Sequence, residues 1–131
     1  MKNKLIKLIR WIWEFPQCLL GLILTRLYDV DHKETINNID VYVGRFPSGI
    51  SLGLYIIISN YSYRYSKATT MYHEYGHSIQ SKILGPLYLQ TVGITSITWN
   101  CLRKIFTSLR SINYYSIWPE NWADKLGGVK R

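Results

Sequence analysis

Between residues 4 and 14 the apolar positions Leu5, Leu8, Ile9 and Ile12 recur at helical spacing, while Lys4, Lys7, Arg10 and Glu14 fall on the opposite side. That spacing predicts a basic amphipathic helix. Pro16 opens a second segment, apolar nearly all round, that runs to about Leu27 and is too short to cross a bilayer as a straight helix. It reads equally as core or as an interfacial anchor. Asp29 to Asn38 is polar and reads as a connection. From Ile39 to Ser59 the pattern turns β-like, with Val41, Val43, Ile50, Leu52 and the run Tyr55 to Ile58 on either side of Phe46-Pro47-Ser48-Gly49, which predicts a hairpin around that turn.

Asn60 to Tyr65 is a Tyr- and Ser-rich connection, after which Ser66 is placed to cap a helix running to Leu84, where Gly85-Pro86 is a stop signal. Leu87 to Leu102 is apolar but interrupted by Gln90, Thr91, Thr95, Ser96, Thr98 and Asn100, groups that a lipid-facing span would have to satisfy internally. Residues 103–117 are basic and aromatic, a helix end followed by loop. Trp118-Pro119 reads as a helix entry with proline at the first helical position and Glu120 just inside, and Gly127-Gly128 closes that helix. The order of elements predicts one α+β domain over residues 1–131, with residues 1–27 forming an amphipathic and apolar helical segment.

Composition narrows the class. Hydrophobic residues make up 47% of the chain and charged residues 18%, which excludes a disordered polar chain. The formal charge of +8 draws a protein toward nucleic acid or anionic lipid. No helix-turn-helix, zinc finger or RNA-binding strand pair is present, so no nucleic-acid partner is expected. The basic residues cluster most tightly at the N-terminus, beside Trp11 and Trp13, in a form that suits an anionic membrane surface. Core packing of the same helix stands as the alternative. Cys18 and Cys101 lie in apolar surroundings without metal-knuckle spacing and are expected as buried free thiols in a cytoplasmic protein, peripheral at the inner membrane face. Thr25-Arg26-Leu27-Tyr28 offers no small-residue cleavage site, so the N-terminal segment is expected to be retained.

One stretch carries chemistry. Met71-Tyr72-His73-Glu74-Tyr75-Gly76-His77 places His-Glu-x-x-His inside the predicted helix. Residues four apart on a helix differ by about 40°, so both imidazoles leave one face a turn apart and can share a zinc ion. Glu74 lies beside them, placed to touch a metal-bound water. In a chain with three histidines and four glutamates, a chance match is expected in about one shuffled sequence of five hundred.

A catalytic zinc takes three protein ligands and keeps a position open. The extended metzincin pattern needs glycine at position 80 and histidine at position 83, where this chain has Gln80 and Ile83, and Cys18 lacks the context of a deformylase ligand. Only two acidic residues, Glu120 and Asp124, follow His77. Their spacing of four puts them on one helical face, with Glu120 as the third ligand and Asp124 accepting the second ring N–H of a histidine ligand. An acidic first turn that merely complements the helix dipole is the plainer reading of the same residues.

His73-Glu74-x-x-His77 followed by Glu120-x-x-Ala123-Asp124 resembles the paired signatures of the gluzincin metallopeptidases, including thermolysin-like and membrane-associated CAAX-protease-like families. The resemblance covers about 30 residues, and the wording around them also resembles small bacterial proteins. It implies a minimal gluzincin-like domain: a small hairpin or sheet on the active helix, whose edge strand pairs with an extended peptide or protein substrate. Ile50 to Ser59 is the candidate for that strand. The family often adds a residue that holds the oxyanion, and with no histidine after Glu120 the candidates are Tyr114 and Tyr115. The expected activity is zinc-dependent peptide hydrolysis with Glu74 as general base; the alternative is a non-catalytic zinc-binding or membrane-associated interaction protein on the same fold.

Overall fold

A computed structural model describes all residues 1–131. Six α-helices surround a four-stranded mixed sheet: α1 (Lys2–Trp13), α2 (Phe15–Leu27), β1 (Val30–Ile36), β2 (Ile39–Gly44), β3 (Gly49–Leu52), β4 (Tyr55–Ser59), α3 (Asn60–Tyr65), α4 (Lys67–Leu84), α5 (Ile94–Ile105) and α6 (Glu120–Gly127). Short 3-10 turns at Gly85–Leu87, Thr107–Ser111 and Tyr114–Ser116, and a π-helical turn at Leu89–Gly93, connect the later helices.

The spatial strand order is β1-β2-β4-β3, which corrects the expected hairpin. β2 and β3 do not pair across Phe46–Gly49; β4 inserts between them, parallel to β2 and antiparallel to β3. The reason is burial. All five residues of β4 are buried, so both of its faces are covered, and a strand of that kind belongs in the middle of a sheet. The β3–β4 turn is made by Gly53, whose φ of 64° favours glycine. Asp29 to Asn38 is also corrected from a connection to a strand: β1 pairs antiparallel with β2 through the left-handed residues Asn37 and Asn38, a pair suited to a tight hairpin. Charged and exposed, β1 is an edge strand whose side chains discourage further pairing, and its polarity hid it from a hydrophobic pattern.

The core is built from Ile39, Val41, Val43, Ile56 and Ile58 of the sheet, Cys18 of α2 and Met71 of α4. Cys18 is buried as expected, and burial pushes its thiol up to about 11; Cys101 is exposed on α5, contrary to expectation.

The N-terminal helix packs by its polar side. Lys7 reaches Asp40 of β2 at 3.2 Å. Arg10 makes a two-pronged pair with the fully buried Glu14 and donates to the carbonyl of Ser78 on α4. Ser81 donates to Glu14 as well, and Gln17 donates to Ser81 and to the carbonyl of Gly85. A buried ion pair survives only when its remaining lone pairs and protons are met, and here the partners come from the rear of α4. This network fixes the helix that carries the histidines.

α4 and α6 cross at van der Waals contact. A Cβ on Gly76 would overlap the carbonyl oxygen of Ala123, and a Cβ on Gly127 would overlap that of Tyr72. Both contacts involve backbone, which cannot move aside like a flexible side chain. Gly76→Ala is expected to lower stability by about 1–3 kcal/mol, read as a drop in Tm, and to reduce metal retention in the same preparation.

Candidate metal centre

α4 presents His73 and His77 one turn apart, with Nε2 atoms 3.2 Å from each other. Glu120, the first residue of α6, brings Oε2 to 3.1 Å from both. All three side chains are buried. The structure therefore brings together the three residues that the motifs nominate, from helices 43 residues apart at their nearest ligands.

The outer ring nitrogens decide what these atoms are. His73 Nδ1 faces Asp124 Oδ1 at 2.7 Å, and a carboxylate only accepts, so this nitrogen carries the proton. His77 Nδ1 faces Gln80 Oε1 at 2.7 Å, while Gln80 Nε2 donates to the carbonyl of Pro119, which fixes the amide orientation and makes His77 the donor. With Nδ1 of each ring donating outward, the Nε2 atoms are directed at one another and at the Glu120 carboxylate. Three convergent acceptors repel unless a cation lies among them. A proton can join only one pair, whereas a metal ion satisfies all three. Around a four-coordinate ion with bonds of about 2.0–2.1 Å, ligand atoms stand about 3.3 Å apart, close to the separations found. The His73, His77, Glu120 group can hold a metal ion.

Each ligand is held by a further contact. Asp124 is itself clamped by Arg131, whose Nε donates to Oδ2 at 2.7 Å and whose guanidinium covers the Tyr115 ring. Ser96 of α5 makes a short hydrogen bond to Glu120 Oε1, leaving Oε2 for the histidines. Gln80 lies one turn beyond His77, so its role was legible as a polar residue on the ligand face. Ser96 and Arg131 were not, because they depend on where α5 and the C-terminal residues pack.

Charge follows this geometry. Burial works against ionisation of His73, but the Glu120 contact, the Glu74 charge and Asp124 outweigh it and raise its pKa above 6.5. Burial alone would raise Glu120; contacts with His73, His77 and Ser96 instead hold it well below the usual carboxylate range. Glu74 is raised by burial, only partly offset by the two imidazoles, and no hydrogen-bond donor contributes to its ionisation. Its carboxylate lies against Gly49 of β3, where a Cβ would overlap Oε1.

Tyr114 and Tyr115 occupy the 3-10 turn leading to α6. Tyr115 packs edge-on against His73, with centroids 5.1 Å apart, and Tyr114 packs edge-on against Tyr115. Burial and the Glu120 charge push the Tyr114 hydroxyl far above its usual range, so it stays protonated as a donor. The proposed substrate strand is narrower than expected: only Gly49–Leu52 is at the edge, and Tyr55–Ser59 is interior. Trp118 and Trp122 stack on the outer side of α6 beside Asn121 and Lys125, forming an open groove of about 370 Å³.

No protein family, curated protein or solved structure matches this chain.

Two measurements follow from the geometry. Asp124→Ala removes the acceptor that holds the His73 tautomer and is expected to weaken metal affinity by about 10–100-fold in competition with a chromogenic chelator. The second concerns pH. In the metal-free protein, the raised His73 pKa contributes stability that is complete below 6.5 and lost as pH rises through the raised value. Glu120 and Asp124 are lowered from 4.5 and 3.8, so their contribution is present above those values and lost as pH falls through the lowered ones. Glu74, raised from 4.5, contributes stability that is complete below 4.5 and lost as pH rises through its raised value, so metal-free Tm should be highest near 4.5 and decline through neutrality. Because metal binding displaces protons, the Tm gained on adding zinc should grow across the same rise in pH.

Proposed function

We propose that this protein is a zinc-dependent peptide hydrolase of the gluzincin type. The observation that carries the reading is Glu74: a buried carboxylate with no hydrogen-bond donor set against it, adjacent to three convergent metal-ligand atoms. A structural metal site has no use for such a group, whereas hydrolysis needs a base there. Two imidazoles and one carboxylate suit zinc, which when bound acts as a Lewis acid toward water and a carbonyl oxygen.

The chain's own residues supply the rest. Glu74, raised by burial, accepts a proton from the attacking water as the new C–O bond forms. It returns that proton to the amine nitrogen as the C–N bond breaks, so the carboxylate is regenerated. Gly49 leaves room for Glu74 beneath the strand edge, and β3 is the edge strand beside which an extended peptide would pair, with the Ser51 carbonyl already bonded by Tyr88. Tyr114, whose hydroxyl stays protonated beside Ser96 and Glu120, is the better placed tyrosine to donate to the developing oxyanion, since the Tyr115 hydroxyl is engaged by Arg131.

Quenched fluorogenic peptide libraries test the reading with zinc-reconstituted protein. Hydrolysis should be abolished by a chelator and restored by zinc. Glu74→Gln should retain one zinc per chain and lower kcat by about 10²–10⁴-fold. Loss of zinc in that variant, or unchanged hydrolysis, would show that Glu74 has been given the wrong role.

A further inference from the structure

The apolar stripe of α1 faces away from the protein. Leu5, Leu8, Ile9 and Ile12 are 57%, 57%, 56% and 71% exposed, because Lys7 and Arg10 on the other side hold the helix to β2, Glu14 and α4. α2 continues the exposure with Phe15, Leu19, Ile23 and Leu27. α5 repeats it: Ile94, Ile97, Leu102 and Ile105 form a stripe at helical spacing, all exposed. The turn Gly85–Leu87 packs on α2 and leads through Leu89–Gly93 into α5, linking the two patches along the chain. Trp13, at the corner of α1 and α2, donates to the carbonyl of Lys82 and packs on Gly85, and the neighbouring Ile83 and Leu87 are exposed as well. Monomeric soluble proteins rarely leave stripes of leucine and isoleucine like these facing water.

Charge identifies what covers it. Residues 1–28 and 82–117, which bear these helices, hold nine of the sixteen basic residues and one of the eight acidic ones. That lone acid, Glu14, is fully buried against Arg10. These segments therefore carry a net +8, the whole formal charge of the chain, while the remaining residues hold seven of each sign. Lys2, Lys4, Arg26, Lys82 and Lys104 are exposed beside the apolar stripes, and the exposed acid that directly follows α2, Asp29, is paired with Arg45 at 3.6 Å. Exposed isoleucine and leucine bordered mainly by cations, with a half-exposed indole at the corner of α1 and α2, match the acyl boundary and headgroups of an anionic bilayer. No single helix is long and apolar enough to cross a membrane; α1 and α2 reach that length and composition only as a pair bent by 105°, and the basic residues along α1 suit the interface rather than the bilayer centre.

We propose that α1, α2 and α5 together form a docking surface for a bilayer containing anionic phospholipid. The proposal rests on the exposed faces and the charge distribution, and stands whether or not the metal centre hydrolyses peptides.

Flotation of the full chain tests it, with vesicles of phosphatidylcholine alone and of equimolar phosphatidylcholine and phosphatidylglycerol. The chain should float with the anionic vesicles, at least about tenfold more tightly than with the neutral ones, and high salt should narrow the difference. Leu5→Gln with Ile9→Gln, Ile97→Gln with Ile105→Gln, and Lys2→Glu with Lys4→Glu should each weaken binding about tenfold or more. These positions are exposed, so circular dichroism and metal content should remain those of the wild type. Failure of the wild-type chain to float with phosphatidylglycerol vesicles overturns the proposal, whether sedimentation velocity then shows a monomer or copies paired through the same helices. Flotation that both glutamine pairs leave unchanged overturns it equally.

Discussion

The backbone contact between α4 and α6 governs what the site can be. Gly76 lies against the carbonyl of Ala123 and Gly127 against that of Tyr72, and this closeness lets Glu120 on α6 reach both imidazoles of α4. A side chain at either glycine would push the carboxylate out of reach. From that contact follow the shared Oε2 position, the bond from Asp124 to His73, and the bond from Gln80 to the carbonyl before α6. The centre is thus a product of helix packing as much as of its ligands.

Burying this much ionisable chemistry in a small domain demands that each polar group be matched. Arg10 and Glu14 neutralise one another behind α4, with Ser81 and the Ser78 carbonyl completing the set. On the other side, Arg131 meets Asp124 and Ser96 meets Glu120. Gln17 Oε1 is left without a partner in that network, and Glu74 is buried and raised with no protein group donating to it. A carboxylate left so placed costs stability, and such costs concentrate where chemistry needs an available base.

The same economy explains the orientation of α1. An amphipathic helix ordinarily buries its apolar stripe, but here the polar stripe has specific partners in Asp40, Glu14 and the Ser78 carbonyl, and the apolar stripe is left outward. Two layers of interaction result, a polar one toward the protein and an apolar, cationic one away from it. Because α1 is fastened to the helix that carries the histidines, a surface contacted by α1 is mechanically close to the metal centre.

The His-Glu-x-x-His spacing alone placed two imidazoles on one face of a helix, since helical geometry requires it, and the scarcity of acids after His77 left Glu120 and Asp124 as the only late carboxylates. The long helix to Leu84 was equally legible, ending at Gly85. Local patterns could not say that β4 lies between β2 and β3, because pairing partners are chosen by burial across the sheet, or that polar β1 is a strand, because its partner supplies the order. Nor could periodicity decide which side of α1 faces out. An apolar stripe shows only that a helix has two faces, and which one is buried depends on the charges and carbonyls that packing brings opposite them.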